Sequence, residues 1–192
     1  MSLESKVVWK EGMFLNPQHF QQQERYFERY INHRLDATAE FHWGVQEFEI
    51  DQQLLKLGKI SVIKARGVLP DGTPFSAPDV DDVPPVMDVP VNTVNCPVYI
   101  AVPLRRPGAV DVLPEDSMQG LARYYSTEHE IRDVTKEGGE AHKLDIGKLR
   151  LKLLLETDDR SGYACIGVLK VAEIRDDQEV FLDDQFILSC LD

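Results

Sequence analysis

Two hydrophobic periods divide the chain. From Pro17 to about Ala39, Phe20, Phe27, Ile31 and Leu35 recur at helical spacing, while Gln21, Gln22, Glu24, Arg25, Glu28, Arg29 and Arg34 take the other faces. This predicts one long amphipathic helix with a packed stripe and a wet remainder. Asn16-Pro17 marks its start, because the Asn side chain can accept an orphan N–H and a proline at the first helical position has none to leave unpaired. Ahead of it, Val7-Val8-Trp9 reads as a short strand, kinked by Glu11-Gly12 before Met13-Phe14-Leu15.

Beyond Gly44 the period changes to two, in Phe48-Glu49-Ile50, in Ile60-Ser61-Val62 and through the run from Leu149 to Leu155; each predicts a strand with one buried face. The nearly continuous apolar runs Val98 to Val102 and Cys165 to Val171 fit strands in the middle of a two-layer structure. Turn signals separate these segments at Pro70-Asp71-Gly72, Pro84-Pro85, Arg106-Pro107-Gly108, Glu137-Gly138-Gly139 and Asp158 to Gly162. Many short strands after one long helix predict a mainly β fold, a β-sandwich with an N-terminal helix. A βαβ arrangement would need repeated helices that the pattern lacks. The segment from Pro74 to Pro97 holds six of the 11 prolines and reads as an extended surface excursion with few ladder bonds. No internal repeat or linker divides residues 1–192, so one domain is expected.

Charge narrows the function. The 192 residues carry 21 Lys+Arg against 33 Asp+Glu, a formal balance of −12, which disfavours phosphate backbones and anionic lipid surfaces. Arg105-Arg106 is too short a cationic patch for a nucleic-acid footprint and reads as a solvated loop. Cys96, Cys165 and Cys190 are odd in number and widely spaced, which predicts neither a disulfide framework nor a zinc site and fits a reducing cytoplasm. The N-terminus lacks a charged segment followed by an apolar run, so no export or membrane anchor is expected.

Catalytic signatures are missing. The sequence contains no phosphate-binding glycine loop, nucleophile elbow or H-E-x-x-H. His19, His33, His42, His129 and His142 never stand three or four residues apart, so no helix-borne metal pair exists. Asp79-Val80-Asp81-Asp82 has the carboxylate density of a calcium loop, but Pro84 and Pro90 occupy the positions that need Gly and Glu; a solvated acidic turn is expected. Glu128 and Glu130 flank His129 on a strand and share its opposite face, a weak candidate acid–base pair. No metal or cofactor is therefore expected. Trp9, Met13, Phe14 and Leu15 are more informative, being too close together for a kinked strand to bury all of them. Some should remain outside as apolar anchors for a partner chain, with the uncharged amides of Gln21 and Gln22 as a polar rim.

The segment Val8-Trp9-Lys10-Glu11-Gly12-Met13-Phe14-Leu15-Asn16-Pro17-Gln18-His19-Phe20-Gln21-Gln22-Gln23 resembles the opening of the TssK family, baseplate subunits of bacterial type VI secretion. The resemblance runs on, less distinctly, to the C-terminus. It implies a cytoplasmic, non-enzymatic adaptor: a homotrimer with a β-sandwich shoulder similar to that of phage receptor-binding proteins, a helical neck and a C-terminal head. It further implies that the shoulder binds the TssF–TssG wedge and the head binds TssL and TssM. A chain ending at Asp192 would be the shoulder alone, a monomer or weak trimer, with Trp9, Met13, Phe14, Gln21 and Gln22 as its expected wedge contacts. A carbohydrate- or ligand-binding β-sandwich, using the Pro74–Pro97 loop, is the alternative expectation.

Overall fold

The computed structural model describes residues 5–117, 121–133, 135, 141–174 and 178–190. The chain forms two compact units, divided between His42 and Trp43.

In the first unit, helix α1 spans Pro17–Asp36, so it stops short of Ala39. The backbone N–H of Asn16 donates to Nδ1 of His19 at 3.0 Å, which satisfies a donor at the helix entrance from three residues downstream. At the far end the Thr38 hydroxyl donates to the carbonyls of Arg34 (3.1 Å) and Leu35 (3.0 Å), closing groups that the helix leaves open. The strand expected at Val7-Val8-Trp9 does not form. Strands need a ladder partner, and among the described residues none pairs with this segment. The chain instead turns at Glu11-Gly12, where Gly12 adopts φ +76°, and the Met13 N–H donates to the Lys10 carbonyl. The expected packed stripe is also not found: no residue of α1 is buried.

The second unit is the β-body. Its first sheet has the order β1-β3-β4, made by β1 (Gly44–Ile50), β3 (Val62–Val68) and β4 (Pro74–Ala77), all antiparallel. A short helix α2 (Gln52–Leu55), started by the Asp51 carboxylate accepting from Gln53 N–H at 2.8 Å, leads from β1 towards β2 (Lys59–Ile60). The strand β2 pairs with β5 (Met87–Asp88). A four-stranded antiparallel sheet has the order β10-β6-β11-β12, formed by β6 (Cys96–Pro103), β10 (Lys152–Leu155), β11 (Tyr163–Ile174) and β12 (Val180–Leu182). As the apolar runs require, β6 and β11 are its central strands. Val62, Ala65 and Phe75 of the first sheet share one core with Val98, Ile100, Ile166 and Val171 of the second. Two sheets face to face over one core make the β-sandwich that the period-two pattern predicts. Burying each large aliphatic side chain contributes roughly 1.5–3 kcal/mol.

Close backbone approach explains one residue choice. A Cβ on Gly67 would lie 2.3 Å from the Gly44 carbonyl oxygen, so β1 and β3 can pair there only through glycine. Near the C-terminus the chain returns to this sheet, with the Val45 N–H donating to the Ser189 carbonyl at 2.7 Å.

A further sheet, β7-β8-β9, comprises β7 (Val112–Pro114), β8 (Tyr124–Arg132) and β9 (Ala141–Leu149). The run from Leu149 to Leu155 is therefore two strands in different sheets. The break falls at Arg150, whose backbone N–H donates to the Arg123 carbonyl and whose guanidinium donates to the carbonyls of Pro114 (2.8 Å) and Ser117 (3.2 Å). The Pro74–Pro97 segment is likewise more structured than expected. It supplies β4, β5 and the start of β6, and buries Phe75, Ala77 and Val89.

Candidate protein-docking surface

The solvated acidic turn expected at Asp79 to Asp82 is instead partly internal. Asp81 is buried, its carboxylate accepting from the Leu149 N–H at 3.0 Å and the Ser76 N–H at 3.2 Å. Asp82 accepts from Lys148 at 2.5 Å and from the Tyr125 hydroxyl. These bonds, Lys148 first, hold its carboxyl below the usual range, while burial and the same contact push the Tyr125 phenol up. Asp81 and Asp82 each accept from β8 or β9, while Asp81 also accepts from Ser76 of β4, so the cluster staples the loop to the ribbon.

Other polar candidates are isolated. Glu128, His129 and Glu130 are exposed on β8, and Glu128 pairs with Lys143 at 2.8 Å. His42 meets Asp36 at 3.3 Å. Among the described residues, no three His, Cys, Asp or Glu side chains are placed to hold a metal ion. The cysteines are free, Cys96 buried, Cys165 half-buried and Cys190 exposed. The aromatic that a sugar site in the Pro-rich segment would use, Phe75, lies in the core and cannot stack on a ligand.

The first unit presents a different surface. Trp9 packs its ring against His19 (centroids 6.1 Å apart) and Phe20 (6.3 Å) yet stays about half exposed. The turn at Glu11-Gly12 brings this about by folding the segment before Asn16 back along the first helical turns. The amide of Gln22 holds that fold, donating to the Ser5 carbonyl at 2.7 Å. Met13 is half-buried, its sulfur accepting from the Lys10 N–H at 3.4 Å. Phe14 points outward with 90% of its surface in water, and Gln21, in the first turns of α1, is exposed. The structure thus gathers Trp9, His19 and Phe20, assigns Gln22 to local support, and leaves Phe14 as a free apolar projection.

The apolar surface does not end there. Phe27, Tyr30, Ile31 and Leu35 continue along α1, all exposed. Tyr26 stacks on Tyr30 at 6.2 Å, and the Arg34 guanidinium lies 5.8 Å from the Tyr30 ring centroid while donating to its hydroxyl at 3.2 Å. That bond favours the charged form and raises the Arg34 pKa further. Sequence periodicity identified the stripe, but its bare, solvent-facing state is a structural finding. Contiguous apolar surface of this kind, with Gln and Arg at its borders, is chemically suited to covering another protein. No helix among the described residues is long and apolar enough to cross a membrane.

Comparison with known proteins gives a consistent picture. The profile of the family described as "Bacterial Type VI secretion, VC_A0110, EvfL, ImpJ, VasE" matches residues 19–192. The chain is 40% identical over 192 residues to the type VI secretion system baseplate component TssK1 of Pseudomonas aeruginosa, covering 100% of this chain and 43% of that protein. It therefore spans less than half of that relative. A TssK crystal structure superposes with a TM-score of 0.88 at 37% identity, over 96% of this chain and 42% of that one. TssK in a cryo-electron microscopy structure of a TssK–TssF–TssG baseplate subcomplex has the same fold, with a TM-score of 0.86 at 21% identity, over 96% of this chain and 61% of that one.

Proposed function

This chain belongs to the bacterial type VI secretion family that includes VasE and TssK, and from that membership we propose that residues 1–192 act as the shoulder domain of a baseplate adaptor. Its work is binding and geometry, without bond chemistry. The partner is the TssF–TssG wedge, with which the TssK of the cryo-electron microscopy subcomplex is assembled. The observation that carries the reading is the uncovered aromatic surface from Trp9 along α1, within a sequence alike from end to end to a baseplate component.

Trp9, Met13 and Phe14 supply apolar anchors, Gln21 a polar rim, and Gln22 the support that keeps the N-terminal segment against the helix. In the whole protein three copies act together through the neck, and the head reaches TssL and TssM, on the cytoplasmic face of the envelope. Several weak contacts then become tight through effective concentration. The test is co-purification of this chain with a co-expressed TssF–TssG pair. Retention of the pair supports the reading; no retention, where the full-length protein does retain it, refutes the assignment of wedge binding to these residues.

A further inference from the structure

Pro17 at the head of α1 has no N–H, so the backbone N–H of Asn16 stands at the helix entrance and needs an acceptor. Nδ1 of His19 supplies it at 3.0 Å. That bond requires a lone pair on Nδ1, places the proton of the neutral imidazole on Nε2, and so fixes which way the ring faces. The same ring packs against Trp9, with centroids 6.1 Å apart and planes 36° apart. Phe20 is the second ring beside Trp9, at 6.3 Å, but it is itself more than half exposed and carries no polar atom to hold its rotamer. His19 is half-buried. Of these two rings, only that of His19 is tethered to the backbone.

The other contacts of the N-terminal segment act on its backbone. Gln22 holds the Ser5 carbonyl, and Lys10 and Met13 bond each other across the turn; these set the course of the chain and leave the Trp9 side-chain torsions free. Residue type matters at position 19. Asparagine would offer an acceptor where Nδ1 lies but no ring, phenylalanine a ring but no acceptor, and glutamine, a usual partner at this position of a capping box, again no ring. Histidine has both.

We infer that His19 is the positioning residue of the docking surface: its tethered ring holds the Trp9 indole in the orientation in which a partner meets it. The wedge-binding role proposed above is the premise for that use. A preset anchor has less rotamer freedom to lose on association, so His19 acts on binding through Trp9.

The test combines nuclear magnetic resonance of the 192-residue chain with titration calorimetry against the co-purified TssF–TssG pair. The chain has two tryptophans, hence two indole N–H cross-peaks, and Trp9→Phe identifies the one from Trp9. His19→Asn keeps the acceptor, so far-UV circular dichroism should be unchanged. The Trp9 cross-peak should nevertheless move to the random-coil position, while that of Trp43, in the other unit, stays in place. Affinity for the pair should fall roughly tenfold, the order expected from freeing one rotamer-rich side chain. In a Trp9→Ala background the same substitution should cost less than about twofold, because nothing is left to position. His19→Phe, a ring without the tether, should recover only part of the loss. A Trp9 cross-peak unmoved by His19→Asn would overturn the inference, as would an undiminished affinity loss once Trp9 is absent. A parent chain that does not bind the pair refutes the wedge-binding role instead, and the cross-peak still decides whether His19 holds Trp9.

Discussion

Replacing Arg123 by Met tests whether one buried cation ties three parts of the β-body together. The side chain is 3% exposed. Nη1 donates to the Pro103 carbonyl at 2.7 Å; Nη2 donates to Asp71 Oδ2 at 2.8 Å and to the Thr73 hydroxyl. The end of β6, the turn between β3 and β4, and the approach to β8 thus converge on one guanidinium. Methionine fills a similar volume but removes the donor to the Pro103 carbonyl, Asp71 Oδ2 and the Thr73 hydroxyl. A buried carbonyl without a partner costs about 1–3 kcal/mol, and stranding one member of a buried ion pair costs about 3–5 kcal/mol. Because the Asp71 side chain is a quarter exposed, water recovers part of the second cost, so a loss of about 3–4 kcal/mol is expected. For a unit of this size that corresponds to a fall of roughly 10 °C in melting temperature. Arg123→Lys should lose at least half as much, since one ammonium cannot reproduce the planar fork that reaches divergent acceptors. Urea unfolding followed by far-UV circular dichroism measures both, through a lower midpoint at unchanged slope. A loss under about 1 kcal/mol for Arg123→Met would refute the reasoning, because it would mean that the three acceptors are satisfied without the guanidinium.

Two further outcomes are expected. Phe14→Ala should leave the melting temperature within about 1–2 °C of the parent, since an exposed side chain stabilises little; affinity for the TssF–TssG pair should fall by roughly tenfold to a hundredfold if Phe14 is an anchor, as measured by titration calorimetry. Asp82 has a depressed carboxyl pKa in the folded chain, so its contribution is present above the unfolded value of about 4 and is lost as pH falls through the folded value. Asp82→Asn should therefore melt lower than the parent at pH 7, with the difference shrinking as pH falls below the unfolded value and through the lower folded one; a constant difference on acidification would contradict the assignment.

Much of the architecture is local in origin and therefore legible. Asn16-Pro17 and the spacing of Phe20, Phe27, Ile31 and Leu35 specify α1 within a few residues, because capping and periodicity are properties of neighbours in sequence. The apolar runs in β6 and β11 announce central strands for the same reason. Other features depend on distant partners. Val7 to Trp9 has strand-forming residues but, among the described residues, no ladder partner. The alternation from Leu149 to Leu155 is continuous, yet Arg150 divides it by bonding carbonyls at Pro114 and Ser117. The prolines between 74 and 97 disguise β4 and β5, and Asp81 looks soluble until Leu149 N–H meets it.

The candidate surface divides in the same way. Its residues, Trp9, Met13 and Phe14 among them, stand out in the sequence because too many apolar side chains occur too close together to be buried by one strand. Whether each is support or projection is decided by the turn at Gly12 and the Gln22–Ser5 bond, contacts between segments that composition does not connect. The sequence by itself determined the helix, the β-rich body and the family; tertiary structure alone decided which faces stay uncovered and which charges are internal. Short-range preferences act through bonds along the chain, whereas burial depends on what the rest of the chain brings alongside.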